Sequence, residues 1–287
     1  MAVVATGFFD GVHIGHRMVI ETLVNSARER GEESVIITFW PHPRIVLHSD
    51  AISLRLLNTL DEKIILLKSL GVDRVEVLPF TEEFSRLSTA EYLKGTVIDR
   101  FGGTAILLGY DNRIGHDSGT PEQIAAIASG LGLEVITTEK VSAIGLAVSS
   151  TKIRKALLAG DVAAASVYLC YEYAIEGEVV HGRKLGRTIG FPTANLALYE
   201  QMKLVPADGV YLTRVHLGDE CFYGMTNIGN GIETHIFDFN EEIYGRCMRL
   251  EFLRRVRDEK HFGDLQELRV QLAADEESCR ALLGNLK

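Results

Sequence analysis

The stretch Gly7-Phe8-Phe9-Asp10-Gly11-Val12-His13-Ile14-Gly15-His16 decides the fold of the first half of the chain. An apolar, β-branched run over residues 2–6 precedes it, and residues 16–30 follow it with apolar side chains at helical spacing. The context is therefore a strand, a glycine turn and a helix. Glycines let the backbone approach a phosphate closely, and the first N–H groups of a helix attract an anion. The stretch predicts a nucleoside triphosphate site with histidine donors; two solvated histidines at a helix start are the alternative.

Further along the chain, apolar strand patterns alternate with helical patterns up to about residue 160. The predicted strands are residues 34–39, 74–78, 104–108 and 133–138. Three helix starts carry capping boxes, which pair Thr59 with Glu62, Ser88 with Glu91, and Thr120 with Gln123. Such alternation predicts an α/β domain with a Rossmann-like parallel sheet. Ligands bind at the carboxyl ends of strands in such sheets, where the glycine turn lies.

The pattern changes after residue 160. A short helical segment covers residues 161–169, and strand-and-turn patterns follow at residues 173–180, 210–216, 220–225, 231–237 and 246–252. Short strands with close turn signals predict an antiparallel barrel or sandwich, and a C-terminal helix is predicted from Asp264 to about residue 283. We expect two domains, residues 1–168 and residues 169–287.

Composition narrows the class of protein. The 287 residues are 46% hydrophobic and 24% charged, and the formal net charge is -9, which argues against broad electrostatic binding to nucleic acid or to an anionic membrane. The four cysteines, Cys170, Cys221, Cys247 and Cys279, have no zinc-site spacing. No apolar run approaches the roughly 20 residues of a membrane span, and no basic leader precedes the first strand. A cytoplasmic protein without nucleic-acid or membrane partners is expected; the oligomeric state is left open.

Three further segments of the first half carry site-type residues. Pro41 and Pro43 stiffen the end of the second strand around His42, as the wall of a flat pocket or merely as a rigid connection. Asp111 follows the strand at residues 104–108, either to hold a ribose hydroxyl or to form a turn. The hydroxyls and cation of Ser150, Thr151 and Arg154 suit a phosphate clamp or an ordinary capped helix start.

The second half has a glycine-rich basic segment at residues 181–195. Its glycines and cations suit a nucleotide phosphate, and it ends in the oxygen-bearing side chains of Thr193 and Asn195, which suit magnesium. A barrel edge with a basic turn is the alternative. Residues 231–239 alternate as a strand with Glu233, His235 and Phe237 on one face, and a carboxylate such as Glu233 can accept a proton from an alcohol or form a salt bridge.

Taken in order, the glycine turn with its histidines, the P-H-P, G-x-D-x-x-x-G and S-S-T-x-I-R segments, and the later G-R-x-x-G-F-P-T-A-N resemble bacterial bifunctional riboflavin kinase and FAD synthetase. The resemblance implies that the first domain transfers AMP from ATP to FMN and releases pyrophosphate, giving FAD. It implies that His13 and His16 stabilise charge at the α-phosphate and that flavin lies near Pro41, His42 and Pro43. The implied ATP-binding residues are Gly7, Phe8, Phe9, Asp10, His13, His16, Asp111, Ser150, Thr151 and Arg154.

For the second domain the resemblance implies phosphorylation of riboflavin by ATP. Glu233 takes the place of the catalytic base, Thr193 and Asn195 those of the Mg²⁺ ligands, and Arg257 and Phe262 flank the flavin. The implied ATP-binding residues are Gly182, Lys184, Gly186, Gly190, Thr193 and Asn195. The expected small molecules are riboflavin, FMN, FAD, ATP and Mg²⁺.

The chain departs from the family pattern at one place beside the predicted kinase site. Only Asn230 and Gly231 separate Gly229 from Ile232, where the family usually carries a longer loop with an R-P-T segment. An active kinase with a trimmed loop and a flavin-binding domain without turnover both stay open. Class I aminoacyl-tRNA synthetases share the H-I-G-H sequence, but this chain lacks K-M-S-K-S and a basic appendage for tRNA.

Overall fold

The structure is a computed structural model that describes residues 1–47, 54–109, 113–117, 119–137, 148–182 and 185–286. Its internal contacts divide the chain into two compact units, Met1–Ser149 and Ser150–Lys287. The predicted boundary near residue 168 stays a prediction. Within the described ranges, no helix combines the length and apolar character needed to cross a bilayer.

The first unit holds a parallel sheet of five strands within the described residues. The strands are β1 (Ala2–Thr6), β2 (Glu33–Trp40), β3 (Arg74–Pro79), β4 (Gly103–Leu108) and β5 (Glu134–Thr137). They lie in the order β3-β2-β1-β4-β5. The chain builds outward from β1 to β3 and then crosses back to β4, so the strand order reverses between β1 and β4. This switch point is where open α/β sheets bind ligands, and it confirms the predicted fold class.

Helices cover both faces of this sheet. They are α1 (Ile14–Arg30), α2 (Pro43–Leu47), α3 (Leu60–Ser69), α4 (Glu82–Ser85), α5 (Thr89–Glu91), a π-helix (Tyr92–Arg100) that continues α5, and α6 (Pro121–Gly130). Alternate residues of β1 enter different cores: Val4 packs with the π-helix and α6, and Val3 packs with α1 and α3. Such a strand reads as a continuous apolar run because both of its faces are buried.

The second unit begins with two helices, α7 (Ser150–Leu158) and α8 (Val162–Leu169). A closed antiparallel barrel follows. Its strands are β6 (Ala174–Val180), β7 (Ala194–Leu198), β8 (Gly209–Leu217), β9 (Glu220–Ile228), β10 (Ile232–Ile236) and β11 (Cys247–Arg257), in the order β10-β7-β6-β11-β8-β9. The short α9 (Leu185–Thr188) precedes β7, and α10 (Leu265–Leu286) ends the chain. The sequence predicted either a barrel or a sandwich for this half, and the structure is a barrel.

A row of buried hydroxyls crosses three neighbouring barrel strands. Thr226 on β9 shares hydrogen bonds with Thr213 on β8 (2.8 Å) and with Thr234 on β10 (2.9 Å), and all three side chains are fully buried. The Thr213 hydroxyl also donates to the carbonyl of Gly224 at 3.3 Å. The row therefore satisfies polar groups that would be costly to bury alone.

Some sequence predictions need correction. All three predicted capping boxes are present, at Thr59, Ser88 and Thr120. The alternation predicted for residues 231–239 ends early, however: β10 stops at Ile236, Phe237 is buried rather than sharing the half-buried face of Glu233, and Asp238 adopts a φ of 56°. The strand β7 was not predicted, because it follows directly on a glycine-rich segment that has no strand pattern.

Candidate active sites

The glycine turn leaves the carboxyl end of β1 and enters α1. Gly11 has a φ of 86°, which a glycine adopts without strain, but Phe9 (55°) and Val12 (36°) also lie at positive φ. Non-glycine residues at positive φ persist only where their surroundings hold them, and such positions cluster at functional sites. The turn is therefore a constrained element rather than a loose connection.

His13 and His16 lie together at the start of α1. His13 is the N-cap residue: its Nδ1 accepts the backbone N–H of His16 at 3.4 Å. Because Nδ1 accepts, the neutral ring carries its proton on Nε2, which is then the donor atom of the ring. A Cβ at Gly15 would come within 3.3 Å of the His13 ring, so the glycine of H-I-G-H leaves room for that ring.

Both histidines are neutral near pH 7. Burial lowers the pKa of His13 to about 4, and burial followed by the charges of His13 and Lys63 lowers the pKa of His16 well below its ordinary value. The Nδ1 of His16 is buried without a hydrogen-bond partner among the described residues. A buried polar atom of this kind is expected where a ligand binds.

Lys63 on α3 is a residue of this site that the sequence analysis did not select. Its side chain is 2% exposed, and its Nζ donates to the carbonyl of Phe8 and to the hydroxyl of Thr38, both at 3.0 Å. The ammonium also lies 3.9 Å from the centre of the Phe8 ring. The signal was present in the sequence, because Lys63 stands four residues before buried Leu67 on the apolar face of the helix.

Asp10 is anchored to backbone on the far side of the turn. Its buried carboxylate accepts the N–H of Leu57 at 3.0 Å and that of Asn58 at 3.3 Å. The carboxylate thus fixes the turn to the segment that leads into α3. The role of Asp10 in ATP binding stays a prediction.

The P-H-P segment lies against the glycine turn. The His42 ring packs on the Phe8 ring with centroids 4.0 Å apart, and His42 Nδ1 accepts the N–H of Arg44 at 3.0 Å. Pro43 is the first residue of α2, a position that suits its missing N–H. The structure therefore brings together two of the four predicted segments of the first site.

The other two segments are not tested in this way. Asp111 lies outside the described residues, as does Lys184 of the second site. Ser150, Thr151 and Arg154 lie on α7, which belongs to the second compact unit. Their predicted function as a phosphate clamp stays a prediction.

The second site is built on the β7–β10 ladder of the barrel. Asn195 and Glu233 are directly paired across these antiparallel strands, so their side chains share a face. The hydroxyl of Thr193 donates to Glu233 Oε2 at 3.3 Å. His235 contacts the segment that precedes β7: its Nδ1 lies 2.8 Å from the carbonyl of Pro192. The structure thus brings Thr193, Asn195 and Glu233 together on one side of the ladder, and their functions stay predictions.

The glycines of the basic segment stand where a side chain would collide. A Cβ at Gly182 would come 2.1 Å from the Asn195 amide, and one at Gly186 would come 2.1 Å from the carbonyl of Phe191. Gly190 has a φ of 90°. A cavity of about 560 Å³ lies in the same unit, and its lining includes Arg187 and Thr193 but none of these three glycines. A cavity of this size suits a small-molecule ligand.

Arg257 joins β11 to α10. Its guanidinium donates to the buried carboxylate of Asp275 from Nε, at 2.9 Å and 3.0 Å to the two oxygens, and from Nη2 at 2.8 Å. Its Cζ lies 5.8 Å from the centre of the Phe262 ring. The predicted flavin contacts of Arg257 and Phe262 stay predictions, and the ion pair shows that Arg257 also has a structural function.

The shortened loop of the second half is a tight hairpin between β9 and β10. Ile228 pairs with Ile232, and the N–H of Gly229 donates to the carbonyl of Gly231 at 3.1 Å. A Cβ at Gly229 would come 2.0 Å from the carboxylate of Glu259. The hairpin therefore lies directly against the segment at residues 256–262.

Comparisons with known proteins match both halves separately. The family model of FAD synthetase matches residues 1–152, and that of riboflavin kinase matches residues 169–283. A crystal structure described as a macrolide-efflux protein from Streptococcus pneumoniae has the same fold, with a TM-score of 0.90 and 34% identity over 97% of this chain and 94% of that chain.

Curated relatives match the whole chain. The bifunctional riboflavin kinase/FMN adenylyltransferase of Bacillus subtilis is 36% identical over 100% of this chain and 94% of its own length. The proteins of the same description from Listeria monocytogenes and Escherichia coli K12 are 35% and 33% identical, each over 99% of this chain. These matches confirm the predicted pair of activities in the predicted order. The chain belongs to the family of bifunctional riboflavin kinases and FMN adenylyltransferases, with the FAD synthetase domain first and the riboflavin kinase domain second.

Proposed function

We propose that the two reactions run at the two sites described above, with FMN made in the barrel and FAD made at the glycine turn. The observation that carries the first assignment is the pair of stacked, neutral histidines at the start of α1. The convergence of Thr193, Asn195 and Glu233 carries the second. A cytoplasmic location is part of the same proposal.

At the glycine turn, an oxygen of the FMN phosphate attacks the α-phosphorus of ATP. The bond from that phosphorus to the bridging oxygen breaks, and pyrophosphate leaves while AMP joins FMN. The Nε2–H of His13 and the His16 ring stabilise the charge that grows on the α-phosphate oxygens. Neutral rings suit this function because each has a proton to donate and neither gives it up near pH 7. The Phe8 and His42 rings offer a surface for the flavin.

In the barrel, the primary alcohol of riboflavin attacks the γ-phosphorus of ATP and ADP leaves. Glu233 accepts the proton of the alcohol as the new bond forms. The cavity lined by Thr193 and Tyr244 holds the nucleotide. Its phosphates extend to the glycines at positions 182, 186 and 190, where the lack of a side chain lets backbone lie close to an anion.

A magnesium ion fits the donors of the barrel site. The Thr193 hydroxyl and the Asn195 amide oxygen are hard oxygen ligands, and Mg²⁺ usually takes one or two protein ligands and completes its shell with phosphates and water. When bound, the ion neutralises phosphate charge. The described residues contain no group of three or more His, Cys, Asp or Glu side chains arranged for a metal.

The test is a time course of purified protein with riboflavin, ATP and magnesium, with chromatographic separation of riboflavin, FMN and FAD. We expect FMN first and FAD afterwards. FAD from supplied FMN but none from riboflavin would show a disabled kinase half and remove the barrel assignment. Omitting magnesium should stop both steps.

A further inference from the structure

Lys63 is a buried cation that the reaction steps above do not use. Burying an ammonium in a protein core is costly unless it is hydrogen-bonded. At this position the helix α3 carries Lys63 on the same face as Leu67, which packs into the core. The cost of burial requires a local interaction that a hydrophobic residue could not make.

The interaction is with the backbone of the glycine turn. The carbonyl of Phe8 accepts the Lys63 ammonium at 3.0 Å and the Thr38 hydroxyl at 3.2 Å. The same ammonium donates to Thr38 at 3.0 Å, which closes a triangle between α3, the end of β2 and the turn. The Phe8 carbonyl is therefore held on the α3 side of the turn by two donors.

A trans peptide is planar, and its N–H points opposite to its C=O. Fixing the Phe8 carbonyl toward α3 therefore fixes the N–H of Phe9 toward the other side of the turn. Phe9 itself has a φ of 55°, a conformation that its surroundings must maintain. Its ring lies 5.3 Å from the His16 ring, so the orientation of this peptide and the position of the histidine are linked.

We propose that Lys63 is a positioning residue for adenylyl transfer, which holds the Phe8–Phe9 peptide so that its N–H faces the phosphates of ATP. The inference rests on the proposed function of the glycine turn. Two titratable groups act on Lys63 or respond to it: Asp10 on the turn and His16 on α1. The ammonium also adds positive charge close to the site.

The test is the KM for ATP in FAD synthesis from supplied FMN. In Lys63→Met we expect a KM about tenfold higher, the equivalent of one hydrogen bond to a charged group. Lys68→Met is the matched control, because Lys68 lies on the same helix and is exposed. Riboflavin phosphorylation should be unchanged in both variants.

The pH dependence separates positioning from simple support of the fold. Burial lowers the pKa of Lys63 to about 8, with Asp10 acting in the opposite direction. In the wild-type protein the KM for ATP should rise above about pH 8 as Lys63 loses its proton. In Lys63→Met it should be high and flat, and in Lys63→Arg low and flat. A Lys63→Met variant that keeps the wild-type KM and its rise above pH 8 overturns the proposal.

Thr38→Val provides a second route if Lys63→Met does not fold. It removes one of the two donors to the Phe8 carbonyl, and we expect a KM for ATP several-fold above wild type; an unchanged KM counts against the proposal. His16→Ala distinguishes a failure of the proposed ATP site from a failure of the proposed role of Lys63. Undiminished FAD synthesis in His16→Ala overturns the proposed site itself, whereas an inactive His16→Ala beside an unaffected Lys63→Met overturns only the role of Lys63.

Discussion

The imidazole rings of His13 and His16 lie face to face, with centroids 3.7 Å apart and planes 13° from parallel. The stack holds both rings beside the turn, so in the proposed ATP site neither histidine would need to reorganise when ATP binds. Preorganised donors of this kind contribute strongly to catalysis. The arrangement makes His16 the sharpest single test of the first site.

His16→Ala should lower the rate of FAD formation from FMN by about 10²–10³-fold, since it removes one preorganised donor. Riboflavin phosphorylation should continue at the wild-type rate, so that FMN accumulates. The measurement is product separation after incubation with riboflavin and ATP. His116→Ala, at an exposed histidine of the same unit, is the control and should make FAD normally.

Acid should destabilise the first unit through His13. Its pKa is about 4 in the folded protein and 6.5 in the unfolded chain, so the unfolded chain binds more protons between these values. The free energy of unfolding therefore falls as pH drops from 6.5 to 4, by about 3 kcal/mol in total for this group. Trp40 is the chain's one tryptophan and lies in the first unit, so urea unfolding followed by its fluorescence measures the effect.

His13→Asn is the matched variant, because asparagine keeps the N-cap and does not titrate. Its stability should depend less steeply on pH over this window, while His16 retains its own contribution. Identical slopes for wild type and variant would contradict the assigned pKa of His13.

Glu233→Gln should lower the rate of riboflavin phosphorylation by about 10²-fold or more. The adenylylation of supplied FMN should be unchanged. Glutamine keeps the size and the hydrogen bond from Thr193 but cannot accept the proton. Glu178→Gln, at an exposed position on β6, is the control. Concurrent loss of both activities in folded protein would refute the division between the two sites.

The ion pair between Arg257 and Asp275 should stabilise the second unit. Asp275→Ala leaves the guanidinium without its bidentate partner, and loss of one member of a buried pair costs on the order of 3–5 kcal/mol. Thermal unfolding by circular dichroism checks this. If Arg257 also contacts flavin, Arg257→Lys should raise the KM for riboflavin more than Asp275→Asn does; equal effects would assign Arg257 to structure alone.

The buried threonine row gives a prediction for the barrel. Thr226→Val removes the central hydroxyl, so Thr213 and Thr234 both lose a partner, and we expect a loss of about 2 kcal/mol in stability. Replacing all three threonines by valine should recover much of this loss, because no buried hydroxyl is then left unpaired. A triple variant no more stable than Thr226→Val would contradict this account.

Local signals made much of the fold predictable. Apolar runs and capping boxes gave β1 to β4 and the starts of α3 and α6, because these depend on nearby residues. The capping box at Ser88 marks the start of α5, but no nearby signal marks the change to the π-helix at Tyr92. The buried hydroxyl of Tyr92 is 2.8 Å from that of Thr6 on β1. Contacts across 86 residues leave no mark in a sequence window.

The structure brings together several residues of the candidate sites that motifs indicated, and their functions stay predictions. The histidines, Thr193, Asn195 and Glu233 stand in motifs whose residue types match the proposed chemistry. Lys63 stands in no such motif: its place on the apolar face of α3 indicates burial, but its partner is a backbone carbonyl 55 residues away, which any residue could supply. The anchoring of Asp10 to Leu57 was hidden for the same reason.

The hairpin at residues 229–231 has a consequence for how this enzyme can change. Strand β10 is locked to β9 by the Thr226–Thr234 hydroxyl bond inside the barrel, and a slip of one residue would bring Glu233 or His235 into the interior instead. The turn itself is tight: the Gly229 N–H donates to the Gly231 carbonyl, and Gly229 lies against Glu259. The register of β10 is therefore set inside the barrel rather than by the turn. Residues added at Asn230 should leave the proposed catalytic carboxylate in place.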